Sequence, residues 1–186
     1  AMPCNSKRNY GEDLDDATAL ARNFGIDMIT VDLTEARSNI ISAVGIELSD
    51  AAKANIAPRL RMTTLYAVAQ TRNALVVGTG NRSEGYMGYF TKWGDGAYDL
   101  DPIADLTATE IFDFLRYLNA PKNIIEKAPS AGLFEGQTDE KEMGVTYKAI
   151  DEYIMTGKTD PESQAIIERY HRNSEHKRRM PAVFGN

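Results

Sequence analysis

The sequence predicts an α/β fold with an open parallel sheet flanked by helices. Two patterns and the chain length carry this. Helical periodicities alternate with short β-prone runs, the order expected of βα units. The run ALVVGT has the continuous apolar composition of a strand buried in a parallel sheet. The 186 residues suffice for one domain with a sizeable core.

In order, AMPCNS reads as the tail of a strand entering a loop. EDLDDATALARNFG places Leu14, Ala17, Leu20, Ala21 and Phe24 at helical spacing, with Gly25 as the stop. IDMITVDL is β-prone, and TEARSNIISAVGI is a helix with Thr34 as candidate cap. Ser49 opens another helical stretch, and Pro58 is placed to begin a fresh helix, PRLRMTTLYAVAQTRN. After ALVVGT and a glycine-rich stretch, TATEIFDFLRYLNAP carries a capping box, Thr107 with Glu110, and stops at Pro121. PSAGLFEGQTDEKEMG (129–144) is a polar loop without periodicity, read as a mobile lid. YKAIDEYIMTG and PESQAIIERYHRNSEHKRR are helices, the last with basic residues at its end.

The net charge of −6 gives no reason to expect nucleic acid. No apolar run approaches the roughly 20 residues of a membrane span. The lone cysteine, Cys4, fits a reducing, cytoplasmic setting, and two histidines with one cysteine make no zinc site. A metal in this chain is a hard cation on oxygen ligands.

Chemistry concentrates in GTGNRSEGYMGYFTKWGDGAYD (78–99), which holds six of the 14 glycines. It begins where a parallel strand ends, the usual place for a ligand. Gly78 and Gly80 let backbone amides approach a ligand, and Thr79 adds a hydroxyl; an ordinary strand-to-loop turn would use the same residues. Glu84 is a candidate magnesium ligand beside a phosphate, or a solvated loop residue. Lys92 suits phosphate or carboxylate. Asp95 and Asp99 frame a turn, and either is able to bind ribose hydroxyls or accept a proton. Arg59 and Tyr66, seven residues apart, share a helix face, as an anionic nucleotide with a flat ring would require. A surface arginine and a core tyrosine would show the same spacing. No GxxxxGK[ST] loop is present, and GTG and GDG lack the dinucleotide-fingerprint spacing. The residues alone reach a nucleotide-binding α/β protein with magnesium as the natural cation.

ANIAPRLRMTTLY, VVGTGNRSEGYMGYFTKWGDGAYDLDPIADL, PSAGL, GQTDEKEMGVTYKAID and EHKRR resemble the NAD synthetase family in order and spacing, over most of the chain. The resemblance implies the adenine nucleotide alpha hydrolase-like fold of N-type ATP pyrophosphatases, in a homodimer. It implies ATP- and Mg2+-dependent amidation of deamido-NAD to NAD: ATP adenylates the nicotinate carboxylate, and ammonia then displaces AMP. It also implies roles. Thr79 and Ser130 match ATP contacts, and Glu84 matches the magnesium ligand. Arg59, Tyr66, Lys92, Asp99, His176 and Lys177 match the deamido-NAD site at the dimer interface. Asp95 matches the aspartate that binds or deprotonates ammonia.

Two departures qualify the match. The family's SGGxDS loop is absent and would precede AMPCNS, so the expectation is a single NAD synthetase domain, 1–186, lacking its N-terminal strand and that loop. Ala108 stands where many relatives carry a phosphate-binding lysine. A GMP synthetase-like enzyme and an inactive nucleotide-binding module are the alternatives. Arg59, Tyr66 and the His176–Lys177 pair speak against the first, and the missing loop sustains the second.

Overall fold

The computed structural model describes residues 1–4, 11–130 and 138–185. Much of the expected lid, residues 131–137, lies outside them. Eleven helices are found among the described residues: α1 (Glu12–Phe24), α2 (Thr34–Ala43), α3 (Asp50–Ala54), α4 (Ile56–Arg72), α5 (Arg82–Met87), α6 (Ala108–Tyr117), α7 (Lys122–Ile125), α8 (Asp139–Met143), α9 (Tyr147–Thr156), α10 (Pro161–Asn173) and α11 (Glu175–Arg178).

Among the described residues, sheet structure is reduced to two short parallel pairings. In the first, Val31 N–H donates to Ala1 O at 2.9 Å and Leu33 N–H to Pro3 O at 3.0 Å. Pro3 has no N–H, so this ladder lacks a rung. In the second, Val77 bridges Leu100 in parallel. Gly78 N–H donates to Leu100 O at 2.7 Å, and Asp99 N–H to Val76 O at 2.9 Å. No longer strand occurs among the described residues. The expectation of a strand buried on both faces fails for ALVVGT: Val76 is 5% exposed, but Leu75 is 68% and Val77 53% exposed. Val76 and Val77 line a cleft together with Met2 of the first pairing.

The helix boundaries follow local chemistry. Gly25 takes φ 64° and ends α1, and Thr107 and Glu110 form the expected capping box on α6. Ser49 Oγ accepts the Ala52 N–H and caps α3. Other expectations shift. Thr34 is the first residue of α2 rather than its cap, and its N–H is taken by the Asp32 carboxylate at 2.8 Å. Pro58 sits in the first turn of α4, two residues after its start. Helix α6 stops at Tyr117, before Pro121, where Asn119 turns the chain at φ 55°. The stretch read as a loop contains α8.

The main core joins α5, α6, α8, α9 and α10 through Met87, Ala108, Met143, Tyr147, Ile150 and Ile167. Ile150 and Ile167 are wholly buried, each contributing roughly 1.5–3 kcal/mol by leaving water. Three of these helices are also pinned by a buried polar knot. Ser83 Oγ donates to Asp151 Oδ1 and accepts the Ala108 N–H at 3.0 Å. Asp151 Oδ2 takes both the N–H and the hydroxyl of Thr109, at 2.8 and 2.7 Å. A buried carboxylate is tolerated because its two oxygens accept three hydrogen bonds here. Asp151→Ala strands these donors, and the account expects it to lose about 2–4 kcal/mol of unfolding free energy. Asp151→Asn, which keeps one acceptor, loses less. Urea denaturation of the three proteins checks both.

Candidate active site

The site is built where the Val76–Gly78 segment turns into α5. A Cβ on Gly78 would lie 2.6 Å from the Tyr98 ring and 2.8 Å from the Asp101 carboxylate, so only glycine fits. Asp101 then accepts the N–H of Gly80 at 3.1 Å and of Ile103 at 3.2 Å, fixing the turn. Asn81 caps α5: its side chain accepts the Glu84 N–H at 3.0 Å, while Glu84 Oε2 accepts the Asn81 N–H at 2.8 Å. This capping box, an N-x-x-E pattern, places Glu84 inside the site.

A cavity of about 410 Å3 gathers Thr79, Glu84, Asp95 and Ser130, four residues separated by up to 51 positions. Asp139 of α8 also lines it. The sequence reading missed Asp139, because its helix lies in a segment without periodicity. Asp139 Oδ2 accepts a hydrogen bond from the buried Tyr147 hydroxyl at 3.0 Å. An adjoining cleft of about 990 Å3 shares Thr79 and Asp95 and extends past Arg61 to Lys177.

The residues expected on the dinucleotide side lie outside the smaller cavity in three groups: Arg59 with Lys92 and His176, Tyr66 with Asp99, and Lys177 on the carbonyls of Gly88 and Phe90. Arg59 donates through Nε and Nη2 to Lys92 O, each at 3.3 Å. Tyr66 OH donates to Asp99 Oδ1 at 3.4 Å, and Asp99 Oδ2 accepts the Val76 N–H at 2.7 Å. Helix α4 therefore does present Arg59 and Tyr66 to the glycine-rich stretch, while Arg61 turns away to Met2 O at 3.1 Å. Lys92 Nζ donates to His176 O at 2.6 Å. Lys177 Nζ donates to the carbonyls of Gly88 and Phe90 at 2.7 and 2.6 Å. Ala108 begins α6, 3% exposed, next to Ser83.

The cavity is strongly acidic. Burial pushes the Glu84 carboxyl up to about 7, and Asp139, Asp95 and Asp101 add to the rise, against the Asn81 N–H. A cation beside Glu84 would relieve this. Among the described residues no group of three or more His, Cys, Asp or Glu side chains forms a metal centre. Glu84 and Asp139 both line the cavity and offer it carboxylate oxygens, the donor type that a hard cation takes. Because its pKa is raised on folding, Glu84 contributes stability that is complete below pH 4.5 and is lost as pH rises through about 7. Glu84→Gln keeps the cap geometry and removes the titration. The variant should exceed the parent by about 1–3 kcal/mol above pH 7.5 and converge with it near pH 4, in denaturation curves without divalent cations.

The sequence profile of the NAD synthase family matches residues 1–181. The NH(3)-dependent NAD(+) synthetase of Carboxydothermus hydrogenoformans is 52% identical over 186 residues, covering 98% of this chain and 75% of that protein. The structure of an NMN synthetase from Francisella tularensis superposes with a TM-score of 0.94 at 39% identity, covering all of this chain and 77% of the other. The NH3-dependent NAD synthetase of Campylobacter jejuni, solved with nitrate, gives 0.77 at 26% identity, over 99% and 76% of the two chains. The chain belongs to the NAD synthase family.

Proposed function

We propose that the protein makes NAD from deamido-NAD, ATP and ammonia, releasing AMP and pyrophosphate. The carrying observation is the single cavity that brings Thr79, Ser130, Glu84 and Asp95 together. Thr79 and Ser130 offer hydroxyls to ATP. Glu84 would hold Mg2+, which would supply charge neutralisation on the phosphates. A carboxylate resists nucleophiles, and adenylation gives the nicotinate carbonyl a leaving group. Asp95 lines the same cavity and takes a proton from ammonium, so that neutral ammonia attacks and AMP departs. Arg59, Tyr66, Lys92, Asp99, His176 and Lys177 build the dinucleotide side. The same reading makes the protein a cytoplasmic homodimer with that side at the subunit interface; exposed Arg59 and a Trp93 that is 53% exposed support it. In this reading the two parallel pairings belong to one open sheet.

These 186 residues contain no SGGxDS sequence, so no pyrophosphate cradle is assigned. A second reading takes nicotinate mononucleotide as the substrate, favoured by the TM-score of 0.94 with the NMN synthetase. The amide-forming chemistry is unchanged, and only the adenylate half of the dinucleotide is missing.

Incubation of the native protein with ATP, Mg2+, ammonium and deamido-NAD should yield NAD, AMP and pyrophosphate in equal amounts. Turnover of the mononucleotide with higher kcat/KM would establish the second reading instead, and no amide product from either would overturn both. Asp95→Asn should lower kcat by about 10²–10⁴-fold with ATP binding retained.

A further inference from the structure

The last carbonyls of a helix have no partner within it. Helix α5 is only six residues long, and a row of its carbonyls is served by side chains from residues 171–178. Arg178 Nη1 donates to Gly85 O and Tyr86 O at 3.4 and 3.2 Å, and His171 Nδ1 lies 2.9 Å from Tyr86 O. Ser174 Oγ lies 3.1 Å from Met87 O. Lys177 takes the next two acceptors, Gly88 O and Phe90 O. The fit is close: Gly88 has φ 66°, and a Cβ there would lie 2.1 Å from the Ser174 Cβ.

Lys177 reaches furthest toward the chemistry. The Phe90 carbonyl that it holds belongs to the same planar peptide as the Thr91 N–H. That N–H donates to Asp95 Oδ1 at 3.1 Å. Orienting the carbonyl on one side of the peptide therefore orients the donor on the other. The ammonium also lies 5.3 Å from the Phe90 ring centroid, and that ring fills the space where a Gly96 Cβ would be, 2.4 Å from its nearest atom. Gly96 N–H returns to Thr91 O at 3.2 Å. Burial pulls the Lys177 ammonium below the usual lysine range, with Asp95 working against the fall. This half-buried lysine spans two carbonyls at the edge of the larger cleft.

We infer that Lys177 is a positioning residue for Asp95: its ammonium sets the Phe90–Thr91 peptide plane, and that peptide aims the Asp95 carboxylate. The inference rests on Asp95 being the group beside the incoming ammonia.

Lys177→Met, Lys177→Arg, Asp95→Asn and the Lys177→Met/Asp95→Asn double variant are compared in the ammonia-dependent assay. Lys177→Met should lower kcat by about 10–100-fold with KM for ATP within about twofold of the parent, and Lys177→Arg should recover most of the loss. The double variant should be no slower than Asp95→Asn alone, because the lysine acts through the aspartate. Multiplied losses, or an effect confined to the KM for deamido-NAD, would overturn the inference. Amide hydrogen exchange of Thr91 in Lys177→Gln reads the same contact without turnover. It should accelerate at least about tenfold relative to the parent, and unchanged exchange would overturn the strut. A parent protein that makes no NAD would instead count against the reaction assigned to Asp95, while the exchange result still tests the contact.

Discussion

A helix of six residues, Arg82–Met87, carries Glu84 and introduces the loop that carries Asp95. So short a helix leaves most of its backbone groups without internal partners and has no stability of its own. Its order comes from its surroundings. At the N-terminal end Asn81 and Glu84 cap each other, and Arg82 N–H donates to Leu106 O at 2.7 Å. In the middle Ser83 is tied to Asp151, and Met87 is fully buried in the core. At the C-terminal end Lys177 and Arg178 take the carbonyls, and Ser174 lies beside that of Met87. Helices α6, α9, α10 and α11 thus act as a frame for one turn and a half of chain.

The electrostatics follow from the same frame. Holding α5 against α8 sets Glu84 and Asp139 around one cavity, with Asp95 and Asp101 close enough to raise the Glu84 pKa. The lysines nearest the loop do not neutralise this group; Lys92 and Lys177 are committed to backbone carbonyls, and position 108 is a buried alanine. Glu84, Asp95 and Asp139 line the cavity, and no lysine or arginine is found among its described lining residues, a charge balance that favours a cation.

Local signals were legible in the sequence, and distant ones were not. The Thr107–Glu110 box, the helix start at Ser49 and the Gly25 stop are each written within four residues and appear as read. Asn81–Glu84 has the same form, but the density of glycines around it suggested a loop with no helix. The spacing of Arg59 and Tyr66 indicated their shared face, and both meet the glycine-rich stretch. ALVVGT has the composition of a buried strand, yet only Val76 is buried there, because burial depends on neighbours that composition does not name. The knot at Asp151 joins residues 68 apart, and the Lys177 strut joins residues 87 apart. No spacing rule announces either. Residue chemistry singled out Thr79, Glu84, Lys92, Asp95, Asp99, Arg59 and Tyr66, while Ser130, His176 and Lys177 came from resemblance to a family, which told that Lys177 lies near the site but not that its ammonium grips the loop.

On the proposed function, the frame holds the Thr79–Asp99 stretch ready for ATP on one side and the nicotinate carboxylate on the other. A crystal structure of the native protein with Mg2+, a non-hydrolysable ATP analogue and deamido-NAD tests it directly. The account predicts magnesium about 2.1 Å from a Glu84 oxygen and a triphosphate oxygen. It also predicts the nicotinate carboxylate facing Asp95, with the backbone of residues 82–96 moved by less than about 1 Å. Nucleotide bound away from Thr79 and Glu84, or α5 unwound to admit it, would contradict the account.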